Sequence, residues 1–271
     1  MTSQTDLSTG TSDAAAERPL RERYEEVRSR IADAAAKSGR RASDVILVAV
    51  TKTASMDQIR ELIGLGQVDL GENRVQQLQQ RAAQIEEFLT RRRELGAAAN
   101  AKLPQSVRWH MIGTLQRNKI KKAIELVRLI HSVDNLRLAE DLQVAAERRD
   151  KPVEVLVEVN VAEESSKHGI APAAARHLVE MVDTMLSLKP RGMMVMAPNT
   201  SDPSVLRRVF TRARELFEEI RRVGVGGDRF DILSMGMSND YEIAIECGSN
   251  MVRVGSSIFG KPAIEEAPDE E

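Results

Sequence analysis

Residues 44–53 read DVILVAVTKT. Val45 to Val50 form an unbroken apolar run rich in β-branched residues, and Lys52 follows after a single threonine. A run of this length, bounded by polar residues, suits a strand covered on both faces. The C-terminal end of such a strand is the edge at which α/β folds gather their ligands. An amine placed there, shielded on one side by apolar neighbours, loses its proton more easily than a solvated one and attacks an aldehyde carbon. A lone lysine at a strand end is more often simply solvated, so the rest of the chain has to decide its role.

Working outward, the same kind of element returns at intervals. Before the Lys52 strand, Leu20, Tyr24, Val27, Ile31 and Ala34 make one helical stripe that Ser38-Gly39 ends. After it, Ser55 and Gln58 form a capping box for a helix carrying Ile59, Leu62 and Ile63. Further strands are predicted at 68–70, 107–112, 129–133, 153–161, 191–197, 230–235 and 250–254. Amphipathic helices alternate with them, one from Val75 past Leu89, others over 136–147, 173–188 and from the Asp202-Pro203 start to Val223. A basic segment, Arg117 to Lys122, is read as opening one helix, where cations oppose the dipole. Asn239 with Glu242 is read as capping another. Strand and helix in alternation argue for a single-domain parallel (β/α)8 TIM barrel with an extra N-terminal helix. The expected layout is a flexible tail over 1–16, the barrel over 17–261 and an acidic tail over 262–271.

In a barrel every strand's C-terminal end reaches one mouth. Those ends are Lys52, Asn73, Gly113, Asp134, Asn160, Met196, Ser234 and Gly255. After the seventh and eighth strands come LSMGMS and VRVGSS, turns rich in glycine and hydroxyls that lead toward helix starts. Backbone N–H groups in such turns suit a phosphate, and barrels place phosphates after these two strands. A phosphate cradle sharing a mouth with a lysine suggests a phosphorylated aldehyde. Pyridoxal phosphate fits, with the lysine as its imine partner. Arg253 lies two residues before Gly255 on the same strand face and is placed to reach the pyridine nitrogen. An arginine there keeps that nitrogen unprotonated and makes the ring a weak electron sink.

The segments AVTKT, the GEN of GENRVQQ, WHMIGTLQRNK, HSVD, SSKHG, RGMMVM, LSMGMSNDYEIAIECGS and VRVGSSIFG, in this order, resemble the pyridoxal phosphate homeostasis protein family, from about residue 20 to Lys261. The resemblance implies a single-domain, alanine-racemase-N-terminal-like barrel that binds and hands on the cofactor, with no catalytic reaction established. It implies that Lys52 carries the cofactor covalently as an imine, and that Ser234, Gly255 and Ser256 hold the phosphate. It places Arg253 at the pyridine nitrogen and lines the site with Asn73 and Met235. The chain departs from the family pattern at Arg74 and Gln77, where tyrosine and glutamate are usual, and at Ser256, where threonine is. The stretch 91–104 and the two tails look like additions.

Two other readings share the lysine. An amino-acid racemase of the same fold type needs a second domain and a tyrosine acid opposite the lysine. Of the two tyrosines, Tyr24 lies on a core stripe, while Tyr241 could face the mouth. A Schiff-base aldolase acting on a phosphosugar needs a carboxylate relay, for which Glu72 and Asp134 qualify by position. His110 lies on the strand face opposite Trp109 and is read as a core hydrogen-bonding residue, with cofactor contact as the alternative. His131, His168 and His177 are too scattered in sequence for a metal site, and none is expected.

Composition sets outer limits. A net charge of −2 gives no general argument for nucleic acid or an anionic membrane. The single cysteine, Cys247, excludes an intrachain disulfide and lies in an apolar helical pattern, as a packed thiol would. No apolar stretch is long enough to span a bilayer, and the N-terminus lacks the layout of a signal peptide, so a cytoplasmic protein is expected. The expected partners are the cofactor and apo-enzymes that accept it, and the expected state is a monomer or weak dimer.

Overall fold

The computed structural model describes residues 18–95, 103–164 and 168–260. The expected tails over 1–16 and 262–271, Lys261 and residues 96–102 of the 91–104 stretch lie outside the described residues. Eight parallel strands close into a barrel in chain order. They are β1 (Ile46–Val50), β2 (Asp69–Glu72), β3 (Arg108–Met111), β4 (Val127–Val133), β5 (Val153–Val159), β6 (Leu188–Val195), β7 (Ile232–Met235) and β8 (Met251–Val254). Closure comes from β1 and β8, paired from Ile46 with Met251 to Ala49 with Val254.

The helices are α1 (Leu20–Lys37), α2 (Met56–Gly64), α3 (Val75–Glu94), α4 (Ile120–Ile124), α5 (Leu136–Ala146), α6 (Pro172–Asp183), α7 (Pro203–Arg222), α8 (Tyr241–Glu246) and α9 (Ser256–Phe259). The capping box of α2 forms as expected, Gln58 N–H donating to Ser55 Oγ at 3.2 Å and Ser55 N–H to Gln58 Oε1 at 2.9 Å. Asp202 caps α7 through the Ser204 N–H at 2.8 Å. In α1 the predicted stripe is buried, and it packs against α8, α9 and α2.

Three boundaries differ from expectation. The basic segment does not open an α-helix: Arg117–Lys119 form a 3-10 turn, and α4 begins at Ile120. The dipole conflict is thereby removed, since Arg117 pairs with Asp141 and Lys119 reaches Gln76. α6 stops at Asp183 instead of reaching Leu188, because Leu188 is the first residue of β6, laddered to Val153. α8 starts after Asp240, not Asn239: the Asp240 carboxylate takes the Met237 N–H at 2.5 Å and closes the turn ahead of it.

Strand alternation sorts side chains into two layers. Val48, Leu129, Leu156, Met194, Ile232 and Met251 fill the lumen. The residues between them, such as Val155, Met193, Leu233 and Val252, face the helices. The lumen positions also carry Asp69, His110, His131, Glu158, Ser234 and Arg253, all buried. A polar column inside an apolar barrel has a desolvation cost that only internal partners offset.

At Gly192 the chain has φ +147°, and a Cβ there would sit 1.8 Å from the Ile232 carbonyl oxygen. Gly192→Ala is therefore expected to cost about 3 kcal/mol or more, because backbone must move. Gly224, with open space around it, should lose only about 1 kcal/mol on the same change. Urea unfolding of the two variants checks this, and similar losses would refute it.

Candidate functional site

Lys52 lies in the turn leaving β1 with its side chain exposed at the mouth. The expectation of apolar shielding is corrected here. The turn is held from outside the barrel instead. Arg81 on α3 donates to the carbonyl oxygens of Thr51 at 2.6 Å, Lys52 at 3.3 Å and Ala54 at 3.0 Å. The same guanidinium pairs with Glu72, which also accepts from the Thr51 hydroxyl. Glu72 is fully buried, and burial raises its carboxyl pKa against the pull of Thr51 and Arg81. It therefore braces the lysine turn and cannot serve as a relay inside the mouth. Arg81 escaped the sequence reading; its position near the middle of an amphipathic helix gave no cue.

The turns after β7 and β8 meet beside the lysine strand. Gly255 N–H and Ser257 N–H both point at Ser238 Oγ, at 3.2 and 3.4 Å, while the Ser257 hydroxyl donates to the Ser238 carbonyl at 3.2 Å. Two backbone donors converge on one oxygen, the arrangement that anion-binding turns use, and here the Ser238 hydroxyl occupies them. A Cβ on Gly255 would come within 3.2 Å of the Val50 carbonyl, so glycine lets this turn lie against β1. Ser256 is exposed at the start of α9. Ser238 and Ser257 join it, and neither was singled out from sequence, although both fall within the quoted turns.

Arg253 lies beneath this turn, 4% exposed. Its Nη1 donates to the Ser234 carbonyl at 2.9 Å and the Ser234 hydroxyl at 2.7 Å, and its Nη2 to the Val195 carbonyl at 3.1 Å. Burial lowers its pKa to about 10, with Glu158 and Asp240 acting in the opposite sense. Glu158, on the lumen face of β5, is pushed up to about 7 by burial and by Asp134, with Arg253 opposing. Glu158 is a further residue missed from sequence. Its signal was the alternation with Leu156, which turns it inward.

Several expected contacts are corrected. The Ser234 hydroxyl is fully buried between Arg253 and His131, one layer below the phosphate-type turns. The Met235 side chain faces the helices and belongs to the outer core. Asn73 follows β2 and is half-buried at its end. Tyr241 is 1% exposed and packs under α1, with Arg30 over its ring, so it does not face the mouth. His110 is a buried hydrogen-bonding residue, as expected, but His131 is not remote from it: the two rings are 3.0 Å apart, Nδ1 to Nε2. Among the described residues no group of three or more metal-ligating side chains gathers, and no helix is long and apolar enough to cross a membrane.

Residues 25–262 match the alanine racemase N-terminal domain family. The pyridoxal phosphate homeostasis protein of Aquifex aeolicus is 33% identical over 244 residues, covering 89% of this chain and 97% of its own. That of Pseudomonas aeruginosa is 36% identical over 241 residues, covering 89% and 95%. This chain belongs to that family. Among solved structures, PipY of Synechococcus elongatus PCC7942 with PLP bound is 30% identical, with a TM-score of 0.71 over 89% of this chain and all of that one. An alanine racemase of Clostridium difficile shares the fold alone, at 13% identity and a TM-score of 0.65 over 91% of this chain and 57% of that one.

The residues of this family member fit pyridoxal phosphate. The paired N–H groups of Gly255 and Ser257 suit its phosphate. Arg253 has five N–H donors, of which three hydrogen bonds occupy part, leaving donors for a neutral ring nitrogen.

Removing Arg81 strands a buried carboxylate, so Arg81→Met should destabilise the fold by about 3 kcal/mol at neutral pH. The Glu72 carboxyl pKa is already raised by burial, and the variant raises it further. Its folded form then binds a proton that the unfolded form lacks above about pH 4.5, so the variant loses stability as pH rises. The loss measured by urea unfolding should shrink near pH ~4.5. An equal loss at both values would sink this account.

Proposed function

We propose that this chain holds pyridoxal 5'-phosphate as an imine on Lys52 and passes it to apo-enzymes within the cell, without turnover of its own. The observation that carries the reading is the meeting of three features at one mouth. An exposed lysine ends β1, two convergent backbone N–H groups lie on the neighbouring β8 turn, and one buried guanidinium lies beneath them. With the cofactor bound, Lys52 would supply the amine that its aldehyde condenses with, one water being released for the C=N bond formed. Gly255, Ser256, Ser257 and Ser238 take the phosphate; Asn73 borders the ring. Ser234 acts through Arg253, and Met235 through its main chain. Arg253, kept as a cation, disfavours a proton on the ring nitrogen and so limits carbanion chemistry. The pyridoxal phosphate homeostasis relatives and the PLP-bound PipY support the same cofactor. An exposed lysine also suits release to an acceptor.

A second reading, turnover on an amino acid, is favoured by one observation. Glu158 faces the lumen near Arg253 with a pKa near 7, as a general acid or base would.

Visible spectra of wild type and Lys52→Ala with added pyridoxal phosphate test the first reading. Wild type should show an imine band that borohydride traps on Lys52, and the variant should lose it entirely. No band in wild type would refute the cofactor linkage. Amino-acid addition decides between the readings. Racemisation or transamination abolished by Glu158→Gln would replace the carrier function with an enzymatic one.

A further inference from the structure

Below Arg253 a continuous hydrogen-bonded file runs down the lumen to the N-terminal end of the barrel. Arg253 Nη1 lies 2.7 Å from Ser234 Oγ, which lies 3.2 Å from His131 Nδ1. His131 Nε2 is 3.0 Å from His110 Nδ1, and His110 Nε2 is 3.0 Å from Asp69 Oδ1. Asp69 in turn accepts two bonds from Arg108, Nε at 2.7 Å and Nη2 at 2.6 Å. Asp69, His110, His131, Ser234 and Arg253 are each no more than 8% exposed.

An anionic Asp69 and a neutral His110 together set every proton between the two ends. An ionised carboxylate only accepts, so His110 Nε2 carries a hydrogen. With His110 neutral, its Nδ1 accepts, and His131 must donate from Nε2. His131 Nδ1 is then an acceptor, so the Ser234 hydroxyl donates to it and turns its lone pairs to Arg253. Every donor points the same way, from the guanidinium toward the carboxylate. Burial lowers the His131 pKa well below its usual value, with the Arg253 cation acting in the same sense, in keeping with a neutral ring. Asp69 is held at about 2 by Arg108 and His110 against the effect of burial, in keeping with an anion.

We propose that Asp69, His110 and His131 are positioning residues for Arg253, forming a one-way relay that fixes the Ser234 hydroxyl as its acceptor and links the N-terminal opening of the barrel to the cofactor ring. The inference rests on the cofactor reading above. The far end of the relay meets an open depression of about 350 Å³, lined by Asp69, Arg108, Arg128, Glu154, Arg191 and Asp231 among others. The charged groups facing the relay are Arg108 below, Arg253 above, Glu158 beside Arg253, and Arg128, Glu154 and Arg191 around the opening. Asp69 therefore acts on the mouth from the opposite end of the barrel, through hydrogen bonds instead of contact.

Two measurements test it. In protein without cofactor, selectively 15N-labelled imidazoles should report a hydrogen on Nε2 and none on Nδ1 of both His110 and His131. An imidazolium at His110, or a hydrogen on Nδ1 of His131, would reverse the file and overturn the proposal. In loaded protein, Asp69→Asn removes the terminal anion and lets the carboxamide donate, so the file can turn round. The imine absorption titration should then move by about half a pH unit or more, and cofactor retention should weaken about threefold. Thermal unfolding of the same variant separates this from a loss of fold, since a purely structural role would lower stability and leave the titration in place. Identical imine titrations in wild type and variant would overturn the relay alone. No imine band in wild type would overturn the cofactor reading, and with it the target of the relay, while the tautomer measurement would still decide the direction of the file.

Discussion

The pairing of β1 with β8 is the contact on which the site depends. The ladder from Ile46–Met251 to Ala49–Val254 closes the barrel and carries the two strands out at the same level. Val50 and Gly255 are left side by side, and the lysine turn and the paired N–H groups then emerge from adjacent strands. A slip of one residue in this register would turn Arg253 out of the lumen and Val254 into it, since side chains alternate along a strand. A guanidinium forced into the apolar layer under the helices and a valine set in the polar column would then occur together.

A buried arginine is expensive unless its environment already provides for it. Here the carbonyls of Ser234 and Val195 face it from β7 and β6, and Glu158 lies near it from β5. Four strands thus contribute to the surroundings of one side chain, counting its own. That arrangement explains why the lumen is not filled with apolar residues throughout. The lower half carries imidazoles and a carboxylate where other barrels of this architecture stack branched aliphatics. The outer layer is apolar in the usual way, and most of the helix burial lies there.

Much of the architecture was legible because strand runs and helical stripes have different periods. Leu20, Tyr24, Val27, Ile31 and Ala34 were enough to place α1, and all five are buried. Val45 to Val50 located β1, and the glycine-hydroxyl turns marked the C-terminal mouth. Misreadings arose where local signals conflicted with long-range pairing. Leu188 continues the pattern of α6 but is claimed by Val153 across the sheet. Side-chain direction was legible only where the parity of a strand could be counted from a fixed point. It placed Arg253 and Gly255 on one face, but Ser234 was read as a phosphate ligand because its layer in the barrel has no sequence mark. The contact of His110 with His131 links residues 21 apart on neighbouring strands through a register that no local pattern encodes. Arg81 reaches the lysine turn from a helix 30 residues further along, with a spacing that carries no motif.

The position of α1 has a kinetic meaning. Arg40, just beyond it, donates to the Ser249 carbonyl at 2.8 Å, a contact across 209 residues, and α1 itself packs against α8 and α9 near the other end of the chain. Apart from α2, the helices that α1 packs against therefore exist only once the last strands have been made. A chain emerging from the ribosome at roughly 5–20 residues per second carries the part of the α1 stripe that α8 and α9 cover unsatisfied for most of its synthesis. Loop closure over such a separation is slow compared with local helix formation. The barrel closes late, and the mouth that would hold the cofactor forms in the same step.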